Sequence, residues 1–154
     1  MTRAPRYNVG MGQIDWLIVG GVLSSIAALI HVAIIIGGPA WYRFFHAGER
    51  FAQAAERGAL YPALVTFGIA TVLAIWAAYG FSGAGLLPRL PLLRPVLVLI
   101  SAIYLLRAVA ILPMLVFTPH LADRFMRWSS AVVLVYGVAY AIGTWQAWPL
   151  LAAG

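Results

Sequence analysis

The stretch that decides the fold is QIDWLIVGGVLSSIAALIHVAIII, residues 13–36. Apart from Asp15 and His31, it consists of apolar, small or uncharged side chains. As an α-helix it is about 35 Å long, which is enough to cross the hydrocarbon core of a bilayer. The run is too long for the apolar region of a signal peptide, so the sequence predicts a retained first membrane span.

Three more runs repeat this pattern, at 61–82, 95–117 and 128–148, each bounded by Pro, Gly or Arg and by Trp or Tyr. These aromatic residues favour the membrane–water interface. Of the 154 residues, 64% are hydrophobic and 9% are charged, too few polar residues to cover a water-soluble surface. The sequence therefore predicts one all-α membrane domain, 1–154, folded as a four-transmembrane-helix bundle.

Residues 40–58, between the first two spans, are amphipathic when placed on a helix. They are too polar to span, so we predict an interfacial helix that lies along the membrane surface. The alternative is a helix packed on the end of the bundle. The apolar side comprises Trp41, Phe44, Phe45, Phe51, Ala52 and Ala55, and the polar side comprises Arg43, His46, Arg50, Gln53 and Arg57.

Composition excludes several chemistries. The chain has no Cys, which excludes disulfides, thiolate nucleophiles and iron–sulfur ligation. All ten basic residues are Arg, so Schiff-base attachment of retinal or pyridoxal phosphate is excluded too. Only His31 lies inside a span, which excludes a haem held between two histidines, and no cofactor is predicted. The net charge of +6 is dispersed between apolar runs, so we expect lipid phosphates rather than nucleic acid as partners.

Four spans place both termini on one side of the membrane. We call this side A, together with the 83–94 connection, and the opposite side, with connections 37–60 and 118–127, side B. The arginines of the two sides are nearly balanced, but three of the four acidic residues belong to side B. We therefore predict a multi-pass protein of the cell (inner) membrane with cytoplasmic termini.

Arg107 is the residue that most needs an explanation, because it lies about halfway along the predicted span 95–117. Insertion scales put the cost of such a charge at about 2.5–3.5 kcal/mol, so we predict that Arg107 faces the bundle interior, beside Tyr104. No carboxylate lies mid-span. Its partner is then either Glu49, carried inward by the interfacial helix, or an anionic ligand, water, carbonyls or tyrosine hydroxyls. In the alternative, Arg107 only joins helices through hydrogen bonds.

Span four carries a polar stripe at every fourth residue, Tyr136, Tyr140 and Thr144. This spacing places the three side chains on one helix face, which we expect to face the other helices. Together with Ser24 and His31 of span one, the stripe predicts a small polar cavity. The alternative is ordinary helix packing.

Side B gathers all three histidines and three of the four acids. His46 and Glu49, and likewise His120 and Asp123, are three residues apart, so each pair points the same way on a helix. Such pairs are a weak indication of a divalent-metal site. The favoured interpretation is solvated residues at headgroup level, and no metal is predicted.

Small residues recur at every fourth position of span one, a spacing that lets another helix approach closely. They are Gly20, Gly21, Ser24, Ser25 and Ala28. We predict that this ridge is a packing face.

Three functions follow as hypotheses. The favoured one is binding or transport of an anionic or amphiphilic, lipid-like molecule through a polar interior. The second is a membrane enzyme that acts on a lipid-soluble substrate with the side-B histidines and acids. The third is a structural or accessory subunit that packs on a second copy or on another membrane protein. The predicted ligand-binding residues are Arg107, Tyr104, Tyr136, Tyr140, His31 and Glu49.

Overall fold

The computed structural model of the protein describes residues 15–118, 120 and 123–152, and this part of the chain is helical without strands. The helices are α1 (Trp16–Phe44), α2 (Glu49–Glu56), α3 (Tyr61–Gly83), α4 (Leu93–Val109), α5 (Leu112–Phe117) and α6 (Arg124–Ala152). Four helical stretches are long and apolar enough to cross a membrane: α1, α3, α4 together with α5, and α6. The predicted all-α class and the four candidate spans are confirmed. The predicted start of span one, Gln13 and Ile14, lies outside the described residues.

The bundle consists of two helix pairs, since α1 packs mainly on α3 and α4 packs mainly on α6. Contacts between α1 and α6 join the pairs. A Cβ atom at Gly80 would lie 3.1 Å from the Gly21 Cα atom, and one at Gly143 would lie 2.6 Å from the Leu17 backbone nitrogen. The small-residue ridge of α1 is therefore a packing face, as predicted, and much of it is used inside the chain.

Asp15 caps the start of α1. Its carboxylate accepts hydrogen bonds from the backbone N–H groups of Leu17 (3.0 Å) and Ile18 (3.3 Å). These bonds satisfy two of the N–H groups that a helix leaves free at its start. The only acidic residue of side A is thus a helix cap.

α1 continues past its predicted end at residue 36 and kinks. Gly38 has φ 63° and ψ −147°, a conformation open to glycine, and Pro39 follows it. After the kink the helix runs on to Phe44. The apolar run therefore predicted the span, while its exact end depends on how two backbone-breaking residues are accommodated.

The single helix predicted for residues 40–58 is wrong. Trp41–Phe44 form the last turn of α1, and a turn separates them from α2. In this turn His46 has φ 52° and Gly48 has φ 101°, which no α-helix contains.

The apolar side of α2 packs on the end of α1. Phe51, Ala52 and Ala55 cluster with Ile34 and Tyr42 of α1. This is the contact that the alternative interpretation predicted, a helix packed on the end of the bundle.

The third candidate span is broken at Ala110 and Ile111, which we call the α4–α5 break. The last α-helical bond of this part runs from the Ala110 N–H to the Leu106 carbonyl (3.0 Å). Pro113 has no N–H to offer the Val109 carbonyl, so the α4 hydrogen-bonding ladder cannot continue. None of the α5 residues is buried.

Candidate functional site at the helix break

Arg107 lies in the last turn of α4, and its side chain is exposed. The prediction that it faces the bundle interior is therefore wrong. The buried face of α4 runs through Leu97, Tyr104 and Ala108, and at about 100° per residue Arg107 lies about 60° from Tyr104 and about 100° from Ala108. α4 contacts α3 far less than it contacts α6, and the Arg107 side of α4 is left exposed.

The Arg107 guanidinium makes no hydrogen bond or ion pair in the described part of the chain. A guanidinium offers five N–H donors and cannot lose its charge in a protein. Arg107 therefore presents a fixed positive charge beside the α4–α5 break.

The tyrosines predicted to face inward do so. Tyr104, Tyr136 and Tyr140 are all buried, and with Trp76 they form what we call the tyrosine cluster. The Tyr104 ring lies 5.5 Å from that of Tyr136, 5.8 Å from that of Tyr140 and 4.8 Å from the Trp76 ring, measured between centroids.

Hydrogen bonds link the tyrosine cluster to Ser24 of α1. The Ser24 Oγ atom lies 2.9 Å from the Tyr104 hydroxyl and 3.2 Å from the Tyr140 hydroxyl, and Tyr140 donates to the Trp76 carbonyl (2.8 Å). One assignment uses every proton once: Tyr104 donates to Ser24, Ser24 to Tyr140, and Tyr140 to Trp76. These hydroxyls join four helices and do not solvate Arg107.

Tyr136 differs from the other two tyrosines, because its hydroxyl makes no hydrogen bond within the described residues. It contacts the cluster through its ring alone. The three tyrosines and Ser24 lie together, as predicted, while their role in ligand binding stays a prediction. Nothing in the sequence indicates the Trp76 carbonyl, which is a backbone group.

His31 is half-buried on α1, and its Nδ1 atom lies 2.8 Å from the Ala27 carbonyl of the preceding turn. This geometry requires a proton on Nδ1, so in neutral His31 the Nε2 atom is the acceptor. The structure thus ties His31 to its own helix, and no hydrogen bond joins it to Arg107 in the described part of the chain.

Glu49 is not carried to Arg107, as one of the predictions had it, because Arg43 holds it at the end of α1. The Arg43 Nη2 and Nε atoms donate to the two Glu49 oxygens (2.8 and 3.1 Å), and Nη1 donates to Glu56 (2.6 Å). Hydrogen bonding to Arg43 holds the pKa of both carboxyls below its usual range. We call these three residues the Arg43 tether, which fastens α2 to α1.

The weak metal alternative gains no support. Within the described residues, no three His, Asp or Glu side chains lie close enough together to hold a metal ion. The His46 ring stacks on Phe125 instead (4.6 Å between centroids), and His120 is exposed. Asp123 accepts a hydrogen bond from the Met126 backbone N–H (2.7 Å) and so caps α6. The convergence that the side-B enzyme hypothesis requires is not formed by these residues.

A groove of about 400 Å³ lies on the α6 side of the α4–α5 break. Ser130 lines it, and the buried Ser130 hydroxyl has no hydrogen-bond partner in the described part of the chain. Arg127 of α6 also lines the groove, whereas Arg107 does not. Ser130 was not among the predicted site residues, although a serine pair at the start of an apolar span is visible in the sequence.

Comparison with protein-family models, curated proteins and solved structures finds no match for this chain.

Proposed function

We propose that the chain spans a membrane four times and binds an anionic amphiphile, a molecule with an acidic head and an apolar tail, at the α4–α5 break. The observation that carries this proposal is the exposed, unpaired Arg107. At about 1.5 Å per residue, Arg107 is about 21 Å from Leu93 and about 15 Å from Phe117 along the third span. For a chain that spans a membrane, both distances correspond to a position well inside the hydrocarbon region.

A charge at that depth needs a counter-charge. Insertion of an arginine at a span centre costs about 2.5–3.5 kcal/mol, and a bound anion offsets that cost. Each of the four side-chain carboxylates has another partner than Arg107. Asp15 and Asp123 cap helices, and Glu49 and Glu56 pair with Arg43. The anion must therefore come from outside the chain.

The broken helix supports the same proposal. Backbone without helical hydrogen bonds is tolerated at membrane depth only where it is covered by protein or lines a water-containing cavity. In transporters, discontinuous helices supply ligand sites near the midplane. The tyrosine cluster has a positioning role here, because the bond from Tyr104 to Ser24 fixes α4 one turn before Arg107.

A second candidate function is that of a subunit in a membrane complex, in which a carboxylate of another chain covers Arg107. One observation favours it, an exposed groove of about 490 Å³ between α1 and α3. Small residues line much of this groove, and they allow close approach of another helix. They are Ser25, Ala28, Ala70, Ala74, Ala77 and Ala78.

The test is titration of a fluorescent fatty acid into the purified protein in phosphatidylcholine nanodiscs. We expect saturable binding to the wild type, at least tenfold weaker binding to Arg107→Gln, and retained binding to Arg107→Lys. A tenfold loss corresponds to about 1.4 kcal/mol. Arg50→Gln, which removes an exposed charge from α2, is the matched control and should bind like the wild type.

Equal binding by the wild type and Arg107→Gln would overturn the proposal. If the same substitution instead converts an oligomer to a monomer in native mass spectrometry, the subunit function takes its place. The predicted inner-membrane orientation with cytoplasmic termini is tested separately, by labelling single cysteines introduced into this Cys-free chain.

A further inference from the structure

A second groove lies at the opposite end of the α4–α6 pair, near side A. Its volume is about 450 Å³, and we call it the side-A groove. Val98 and Ser101 of α4 and Ala141, Thr144, Trp145 and Trp148 of α6 line it. Four of these six side chains are aliphatic or aromatic, so the groove suits an apolar chain.

A positive charge stands at one end of this groove. The Arg94 guanidinium carbon lies 3.8 Å from the centroid of the Trp148 ring, so a cation–π contact holds the charge against a lining residue. Arg89 lies on the same end of the bundle and donates to the Leu151 carbonyl (3.0 Å). The acid of side A in the described chain, Asp15, is occupied as the α1 cap, so the two arginines form a positive patch.

The hydroxyl of Thr144 is a buried hydrogen-bond donor inside the groove. Thr144 is 5% exposed, and its hydroxyl has no hydrogen-bond partner within the described residues. The neighbouring Ser101 hydroxyl, by contrast, donates to the Leu97 carbonyl (2.8 Å). A buried hydroxyl without a partner costs about 1–3 kcal/mol, so an acceptor placed beside Thr144 would be stabilised.

We infer that the side-A groove binds one anionic phospholipid. The lipid phosphate lies at Arg94, an acyl-ester carbonyl accepts a hydrogen bond from the Thr144 hydroxyl, and the chain follows the apolar wall past Ala141. Thr144 is one helical turn from Trp148, about 6 Å along α6, which matches the step from a phosphate to the ester groups below it. An anionic rather than a zwitterionic lipid is expected because no free carboxylate of the described chain balances Arg89 and Arg94.

This site is separate from the one proposed at Arg107. The two differ in the end of α4 that they use and in their arginine. Either can therefore be lost without the other.

The inference is tested by native mass spectrometry of the protein in neutral detergent, with phosphatidylglycerol or phosphatidylcholine of the same chain length added. We expect the wild type to retain one phosphatidylglycerol and to release phosphatidylcholine at the same concentration. Arg94→Gln should reduce that retention at least tenfold, while Arg94→Lys keeps most of it. Thr144→Val, which keeps the shape and removes the hydroxyl, should reduce it about threefold or more.

Thr71→Val on α3 is the matched control, since its exposed hydroxyl bonds its own helix at the Phe67 carbonyl, and retention should not change. Equal retention of the two lipids would overturn the inference, as would wild-type retention by both Arg94→Gln and Thr144→Val. Loss of the lipid from Arg107→Gln but not from Arg94→Gln would also overturn it, because it would place the lipid at the other site. Thermal unfolding midpoints close to that of the wild type show that each variant is folded.

Discussion

The two ends of the bundle are built in different ways. At side A, the short connection between α3 and α4 is tied to α3 by side-chain hydrogen bonds. The Ser82 hydroxyl donates to the Pro88 carbonyl (2.8 Å) and accepts from the Leu90 N–H (3.0 Å), and the Tyr79 hydroxyl donates to the Pro91 carbonyl (3.0 Å). These bonds hold the connection against α3.

At side B, two of the four candidate spans lose their regular helical geometry. α1 kinks at Gly38, and α4 stops before Pro113. Beyond these points, α5 buries no residue, and exposed ion pairs fasten α2. The unpaired Arg107 lies on this half, next to a break.

The two ends therefore differ in how firmly they hold the helices. An end that is closed by close backbone contacts and satisfied hydrogen bonds holds the helices in register. Segments that move or bind ligands come from the less stable parts of a structure. We therefore expect substitutions in the close helix contacts near side A to change stability, and substitutions near side B to change local opening and binding at Arg107.

The largest effect on stability is expected from Gly143→Ala, which disturbs the close contact between α1 and α6 near side A. The new Cβ atom would lie 2.6 Å from the Leu17 backbone nitrogen, and backbone cannot move aside as a flexible side chain can. Overpacking of this kind costs about 1–3 kcal/mol. Equilibrium unfolding in mixed micelles with increasing denaturing detergent measures the loss.

Gly68→Ala is the matched control on α3. A Cβ atom at Gly68 meets nothing within 4 Å, and alanine favours the helix over glycine, so this variant should be as stable as the wild type or slightly more stable. If Gly143→Ala unfolds like Gly68→Ala, the close contact between α1 and α6 does not hold side A together.

Part of this architecture could be predicted from the sequence. Long apolar runs predicted four spans because crossing a bilayer sets a minimum length for an apolar helix. The two breaks coincide with Gly38–Pro39 and Pro113, residues whose backbone chemistry is visible in the sequence. The single helix at 40–58 was wrong because amphipathic spacing continues across a turn that His46 and Gly48 form through positive φ angles.

The site could be predicted only in part. The stripe of Tyr136, Tyr140 and Thr144 faces inward, as its four-residue spacing indicated. Whether Arg107 faces inward depends on the rotation of α4 against α3 and α6, and contacts far apart in the sequence set that rotation. The cost of a buried charge predicts an inward-facing Arg107 only where the bundle covers every side of α4, and it leaves the Arg107 side exposed.

A smaller effect is expected from Tyr140→Phe, at the contact between the two helix pairs. It removes the bonds to Ser24 and to the Trp76 carbonyl, which link α6 to α1 and α3. Hydrogen bonds between membrane helices contribute about 0.6 kcal/mol on average and up to about 1.7 kcal/mol. The same detergent titration should show a loss in that range.

Tyr136→Phe is the matched control, one turn earlier on α6. Its hydroxyl makes no hydrogen bond in the described part of the chain, so its removal should leave stability within experimental error. Equal losses in the two variants would mean that ring packing, and not the hydrogen bonds of Tyr140, joins the two helix pairs.

The smallest effect is expected at the Arg43 tether, and acid should release it. The hydrogen bonds from Arg43 lower the pKa of Glu49 and Glu56, so the folded chain binds fewer protons than the unfolded chain in the acidic range. The stabilisation by these pairs is full above the unfolded-state pKa of about 4.3 and is lost as the pH falls through the lower folded-state values. Because all three side chains are exposed, the tether should also weaken with salt.

Amide hydrogen exchange of residues 49–56, corrected for the intrinsic effect of pH, measures the release. Protection should be constant from pH 7 to about pH 5 and should fall below about pH 4, while protection of α3 stays unchanged. Arg43→Gln should give the low protection at every pH, because the carboxylates then have no cation to hold. A wild-type profile that stays flat to pH 2.5, or a pH-dependent profile in Arg43→Gln, would show that apolar packing on Ile34 and Tyr42 alone keeps α2 in place.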